Sequence, residues 1–213
     1  TATRTFVASG LFSPEAKQAV QPIDPDTMLI STDWGAGTTS ESGYPISVRR
    51  WDRGASSADA EELFRGEATD VGVWPLVLHR SDGSTVIGAV RRTTFFTGEW
   101  WIFAAQDEPF RIPVPARSDI HGAFDDQLVV LLREDWHVAG QPELRAGDLI
   151  SFDLAALLES RVLPTVRIVF RPADRQAIQQ LAIGRDRMLL NFSDNVVSRL
   201  VWVDRTDGGD WTN

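Results

Sequence analysis

Apolar positions arrive along this chain in short runs rich in Val, Ile, Leu, Phe and Trp, at 28–32, 46–51, 71–78, 85–90, 100–104, 128–132, 149–152, 166–170, 188–192 and 200–203. Turn-forming clusters separate them, among them Asp82-Gly83, Asp125-Asp126, Ala146-Gly147-Asp148 and Gly184-Arg185-Asp186. Runs of that length with such punctuation predict β-strands at short spacing, hence a sandwich, barrel or propeller. The aromatic content argues against a parallel α/β sheet, whose buried strands are mostly aliphatic. Two stretches resist. Residues 57–64 and 175–182 carry good helix formers at helical spacing. Residues 154–160 read as a short helix inserted between strands.

Internal repetition decides the two. An acidic residue, a turn residue and an apolar strand recur from Asp26, Asp82, Asp126 and Asp186, at intervals of 56, 44 and 60 residues. A later strand in the unit tends to end aromatic-then-acidic, as in Trp51-Asp52 and Phe152-Asp153. Units of about 40–50 residues with four strands each are the signature of propeller blades. The expected fold is all-β, a partial β-propeller of about four four-stranded antiparallel blades. The blades fall at 16–65, 69–115, 119–171 and 176–213, within a single domain spanning 1–213, and 1–15 ends a preceding blade with its outer strand at 4–7. The period then makes 178–183 an inner strand and 60–65 an outer one, because tertiary context overrides helix propensities of about a few tenths of a kcal/mol per residue.

Composition narrows the class of function. The 213 residues carry 21 Lys+Arg against 30 Asp+Glu, a net charge of −9, which repels a phosphate backbone unless basic residues cluster, and here they do not. Nucleic acid is therefore not expected as a partner. No apolar run approaches the ~20 residues of a membrane-spanning helix, and no membrane partner is expected. With no cysteine, disulfides, thiolate metal sites and Cys nucleophiles are excluded, and a reducing, cytoplasmic setting is favoured. The chain opens at Thr1 without a signal-like segment and closes on a turn about to enter another strand. Both ends read as those of an excised fragment.

Candidate chemistry is sparse. No G-x-S-x-G occurs; the nearest miss is Gly54-Ala55-Ser56-Ser57-Ala58. His79, His121 and His137 lack a second histidine at metal-pair spacing and read as surface or strand-edge residues. Glu134-Asp135 and Asp107-Glu108 read as solvated turn carboxylates rather than a glycosidase pair. Asp207-Gly208-Gly209-Asp210 reads as a hairpin turn rather than a calcium loop. No cofactor is called for. The most distinctive segment, Trp34 to Pro45, has Gly35-x-Gly37 without the third glycine of a dinucleotide fingerprint or the lysine of a phosphate loop. It is a long hairpin loop, or a loop that reaches a partner domain or substrate.

Five strings carry a resemblance. Phe12-x-Pro14-Glu15-Ala16-Lys17, Thr32-Asp33-Trp34-Gly35-x-Gly37 and Glu41-Ser42-Gly43-Tyr44-Pro45 come first. Leu132-Arg133-Glu134-Asp135-Trp136 with Gly147-Asp148-Leu149 follows, then Leu189-Leu190-Asn191-x-x-Asp194-Asn195-Val196-x-Ser198-Arg199-Leu200. In this order they resemble the N-terminal propeller of prolyl oligopeptidase-family serine peptidases, nearest to the bacterial branch. The resemblance implies a seven-bladed propeller that caps an α/β-hydrolase domain, which holds the Ser-Asp-His triad and cleaves short peptides, typically after proline. The chain would be part of that gating, size-selecting propeller. Nothing here matches the hydrolase motif, so no catalytic residue is carried over.

The implied partners are the hydrolase domain of the same polypeptide and short peptides, with Gly43, Tyr44 and Pro45 as the candidate interdomain or substrate-channel loop. Open blade edges imply self-association. The alternative from another class is a self-standing propeller-like binding module with no enzyme attached. A carbohydrate-active propeller ranks third.

Overall fold

The computed structural model describes residues 11–103, 108–141, 143–206 and 208–212. Among the described residues, sixteen strands form four four-stranded antiparallel sheets, each in chain order or its reverse. The first comprises β1 (Ala19–Pro22), β2 (Thr27–Ser31), β3 (Ser47–Asp52) and β4 (Glu61–Arg65). The second comprises β5 (Gly72–His79), β6 (Thr85–Arg92), β7 (Gly98–Phe103) and β8 (Phe110–Arg111). The third comprises β9 (Ser118–Phe124), β10 (Gln127–Leu132), β11 (Leu149–Asp153) and β12 (Arg167–Phe170). The fourth comprises β13 (Gln176–Ile183), β14 (Met188–Asp194), β15 (Val197–Arg205) and β16 (Trp211–Thr212). The all-β class and the four-stranded blade unit are as expected. The proposed strand at 4–7 lies outside the described residues. Among the described residues no helix is long and apolar enough to cross a membrane.

The described residues fall into two compact units, one within Thr1–Val77 and Val86–Arg111, the other within Leu78–Thr85 and Ile112–Asn213. In the first, Leu29, Val48, Val73 and Ala89 form a buried cluster, with Phe64 and Phe103 stacked against it at 6.0 Å between ring centroids. In the second, Val129, Leu131, Leu149, Ile178, Met188, Leu190 and Val203 do the same. Every residue of β10 is buried, which is why its apolar run is continuous rather than alternating.

Both stretches that looked helical contain a strand, β4 in the first and β13 in the second, and a β-bulge helps explain the resemblance. In β13, Ile178 pairs with Phe192 and Gln180 with Asn191, leaving Gln179 as a surplus residue. The core-facing residues become Ile178, Leu181 and Ile183, and the first step of three mimics a helix turn. In β4 the surplus residue is Leu63, between Phe64 opposite Val48 and Glu62 opposite Arg49. Further bulges leave His121 over in β9 and Val169 in β12. All four sit on the first or last strand of a sheet. Just before β4, Ser56 caps a single 3-10 turn, Ser57–Asp59. The helix expected at 154–160 forms as α1 (Leu154–Ser160); Asp153 accepts from Ala156 N at 2.8 Å, and Arg161 ends it with φ 57°.

Two loops share a device that the sequence hides. Asp70 accepts from Glu67 N at 2.7 Å and from Arg91 Nε and Nη2 at 2.8 and 3.2 Å. Asp148 accepts from Arg145 N at 2.8 Å and from Arg171 Nε and Nη2 at 2.8 and 2.6 Å. Each carboxylate closes the turn three residues back and is forked by an arginine, and the side chains are only 4% and 2% exposed. The paired carboxylate raises the pKa of Arg91 and of Arg171. The β9–β10 turn uses charge differently. Asp125 and Asp126 both have left-handed φ, and their carboxylates are held by Arg205 at 2.6 Å and Arg80 at 3.0 Å.

Asp148 is buried while Arg171 is a third exposed, so removing the carboxylate loses charge-assisted hydrogen bonds without stranding a buried charge. Asp148→Ala is expected to lower the stability of the chain by about 2 kcal/mol, read as a fall in the urea midpoint. A midpoint unchanged from wild type would show that the fork contributes no net stability.

Candidate functional site

In a four-stranded antiparallel meander the first strand begins, the second hands over to the third, and the fourth ends, all at one end of the sheet. In the first sheet that end is built around the 33–45 loop between β2 and β3. Lys17, just before β1, donates from Nζ to the Ser42 carbonyl at 3.3 Å and lies 4.0 Å from the centroid of the Tyr44 ring. Arg65, the last residue of β4, donates to the Gly37 carbonyl at 3.1 Å. The entry and the exit of the sheet therefore both grip this loop.

The loop is internally ordered. Asp33 Oδ1 accepts from Gly35 N at 2.8 Å, and the Thr38 hydroxyl accepts from Trp34 N at 2.9 Å. Ser40 N donates to the Tyr44 carbonyl at 2.7 Å, closing a tight turn in which Gly43 has φ 71°. Trp34 meets Trp51 edge-on at 6.4 Å, with the Arg49 guanidinium 4.6 Å above its ring. Of the candidate residues, Gly43 is exposed, Tyr44 half-buried and Pro45 buried. The Tyr44 ring packs on Trp74 at 5.9 Å, and a Cβ on Gly72 would lie 2.9 Å from the Tyr44 Cβ, so Gly72 makes room for it. The Pro45 carbonyl accepts from Val73 N at 2.8 Å, and the Ser40 hydroxyl donates to the Val71 carbonyl at 2.9 Å. The loop thus doubles as a joint to the start of β5.

The matching turn in the second sheet, between β6 and β7, holds Phe95 and Phe96, 70% and 77% exposed. Sequence reasoning passed over them. The available signal was an apolar pair stranded in a turn among three threonines. In the second unit, the corresponding end carries a cavity of about 470 Å³ lined by Leu131, Arg133, Asp148, Arg171, Pro172 and Ile178. Its arginines are already matched to carboxylates, Arg133 to Asp119 at 2.8 Å and Arg171 to Asp148 at 2.6 Å.

The other candidates take structural positions. His79 Nδ1 lies 3.4 Å from the Thr85 hydroxyl on an exposed hairpin, His121 is the surplus residue of the β9 bulge, and His137 is exposed in the β10–β11 loop. Glu134 accepts from Arg117 N at 3.0 Å and Asp135 from Ala146 N at 2.9 Å, so both carboxylates brace turns. Among the described residues no group of three or more His, Asp or Glu is placed to hold a metal ion. Asp107 and Asp207 lie outside the described residues.

No family model matches the sequence. The chain is 29% identical over 212 residues to the uncharacterized peptidase y4nA of Sinorhizobium fredii, an alignment that takes in 98% of this chain and 29% of that one. It is 26% identical over 184 residues to the uncharacterized peptidase RP174 of Rickettsia prowazekii, taking in 84% of this chain and 25% of that one. Its fold superposes on a post-proline cleaving enzyme from Rickettsia typhi with a TM-score of 0.85 at 23% identity, over 100% of this chain and 32% of that chain. The chain therefore spans under a third of the length of the relatives it matches. Its sequence relatives are peptidases, and its fold is that of the propeller of prolyl oligopeptidases.

One titration bears on the loop. Glu62 binds Arg65 through Oε1 to Nε at 2.7 Å and Oε2 to Nη2 at 2.5 Å, and that hydrogen-bonded pairing, with Arg49 adding to it, holds Glu62 below its ordinary value of 4.5. Folded Glu62 binds its proton less tightly than the unfolded chain does. Its contribution is complete above 4.5 and is lost as the pH falls through the lowered folded value. The urea midpoint is expected to fall over that window, and to fall less in Glu62→Gln. Identical pH profiles for the two would remove Glu62 from the tether of the 33–45 loop.

Proposed function

We propose that this chain serves as part of the gating propeller of a prolyl oligopeptidase-like serine peptidase, a polypeptide that cleaves short peptides, typically after proline. The observation that carries this reading is the superposition of the whole chain on a post-proline cleaving enzyme with a TM-score of 0.85. The chain itself supplies no catalytic group. Its role is steric. Blades around a narrow channel admit an extended peptide and exclude a folded one, so specificity comes from what is kept out. The α/β-hydrolase domain of the same polypeptide is the partner, and Gly43, Tyr44 and Pro45 lie at the sheet end that would meet it.

The test uses the full polypeptide that contains these residues. It is expected to cleave a short proline-containing peptide and to leave the same site uncut when that site is grafted into a loop of a folded domain. Equal rates on both would remove the gating role while leaving the peptidase. The 213-residue chain alone is expected to cleave neither.

A second part of the proposal concerns the open edge. Among the described residues β16 pairs with β15 only at Asp204 and Arg205, leaving the edge of β15 from Val197 to Val203 without a fourth-strand partner. Val196, Val197, Leu200 and Trp202 are 98%, 54%, 65% and 53% exposed along it. Such an edge pairs with another strand when one is offered. The 213-residue chain is expected to self-associate in light scattering, and Leu200→Lys to shift it toward the 23.6 kDa monomer. A wild-type mass of 23.6 kDa at high concentration would exclude the association.

A further inference from the structure

The β6–β7 turn is built to hold two aromatic rings in solvent. Thr94 Oγ1 accepts from Phe96 N at 3.1 Å and from Thr97 N at 3.0 Å, and it lies 2.7 Å from Thr97 Oγ1. Thr93 Oγ1 lies 3.0 Å from the same Thr97 hydroxyl, and Thr94 N donates to the Thr97 carbonyl at 3.3 Å. This hydroxyl web fixes the turn, so a partner would not have to order it. Paired exposed rings on a fixed turn have the character of an interface anchor rather than of a scattered surface residue.

Where the partner sits follows from the topology. Val71, at the start of β5, donates to the Arg92 carbonyl at 2.8 Å, so the second sheet begins beside this turn. Val71 also accepts from Ser40 of the 33–45 loop at 2.9 Å. Chain enters the first sheet and leaves the second at this end, so a segment ahead of the first sheet reaches the sheets here. Tyr44, the aromatic residue singled out in the neighbouring loop, already spends its ring on Trp74 and Lys17. Phe95 and Phe96 instead stand 70% and 77% exposed, adjacent in sequence and on a turn fixed by hydrogen bonds, whereas Phe12, also exposed, is a single ring in the segment ahead of β1.

We infer that Phe95 and Phe96 insert into an apolar recess on a second domain of the same polypeptide, and that this pair is the anchor of the interdomain contact. The inference rests on the proposed function for the presence of that domain, since the matched relatives are more than three times as long as the aligned segment.

Hydroxyl-radical footprinting of the full polypeptide tests it, with the urea-unfolded polypeptide giving the intrinsic reactivity of each ring. Oxidation of Phe95 and Phe96 is expected to fall by about tenfold relative to the unfolded polypeptide without any peptide present, because seated rings leave solvent. Rates near the unfolded value would overturn the inference. So would protection that appears only when a short proline-containing peptide is added, which would assign the rings to substrate instead. Labelling of the same polypeptide with a fluorophosphonate reports separately on the serine hydrolase. Protection without label would sink the peptidase reading and leave the anchor standing on a domain of another kind.

Discussion

Each sheet in this chain has apolar residues on both faces, and that constraint shapes everything else. A strand such as β10, buried along its whole length, cannot exist in a sheet with one wet face. It requires cover on both faces, a demand that a repeating four-stranded unit suits. Within each described unit the packing between successive sheets forms the core, through Leu29, Val48, Val73 and Ala89 in one and Val129, Leu149, Ile178 and Leu190 in the other. With much of the sheet surface taken up by packing, the ends of the sheets, where the chain turns, are the natural place for chemistry and recognition.

That division explains how much was legible. Runs of branched and aromatic residues predicted the strands, and the acidic-turn-apolar repeat predicted their grouping in fours. Local propensity alone would have misplaced two strands, β4 and β13, because a surplus residue in each disturbs the alternation on which a strand is recognised. The 33–45 loop was visible as an unusual string, but its interior could not be read. Nothing in the letters says that Tyr44 is seated over Gly72 or that Arg65 reaches back to Gly37. Phe95 and Phe96 were hidden for the opposite reason. Phenylalanine is normally assigned to the core, and only the structure leaves these two outside it.

Charge was legible in sum and not in arrangement. A net −9 speaks of repulsion from polyanions, yet many of the arginines serve as internal clamps. Arg91 and Arg171 fork buried aspartates, Arg80 and Arg205 steady the Asp125-Asp126 turn, and Arg65 ties a carboxylate to a loop. The common feature is a turn at a sheet end with a carboxylate that would otherwise be free to open it. The matching signal in the sequence, an Ala-x-Asp just ahead of an apolar run at Ala68 and Ala146, is too short to be recognised without the geometry.

The four bulges have a consequence for how such a chain tolerates change. In a regular strand, losing one residue turns every later side chain to the opposite face. At His121, Gln179, Leu63 and Val169 the ladder already carries one residue too many, so a single-codon deletion there restores a plain ladder instead of inverting one. Where the surplus residue is exposed, as His121 and Gln179 are, related blades can differ in length by one while keeping the same residues inward, whereas Leu63 and Val169 pack on the cores and would be lost from them. Alignments that force equal strand lengths across the bulges would misread inward positions as outward ones.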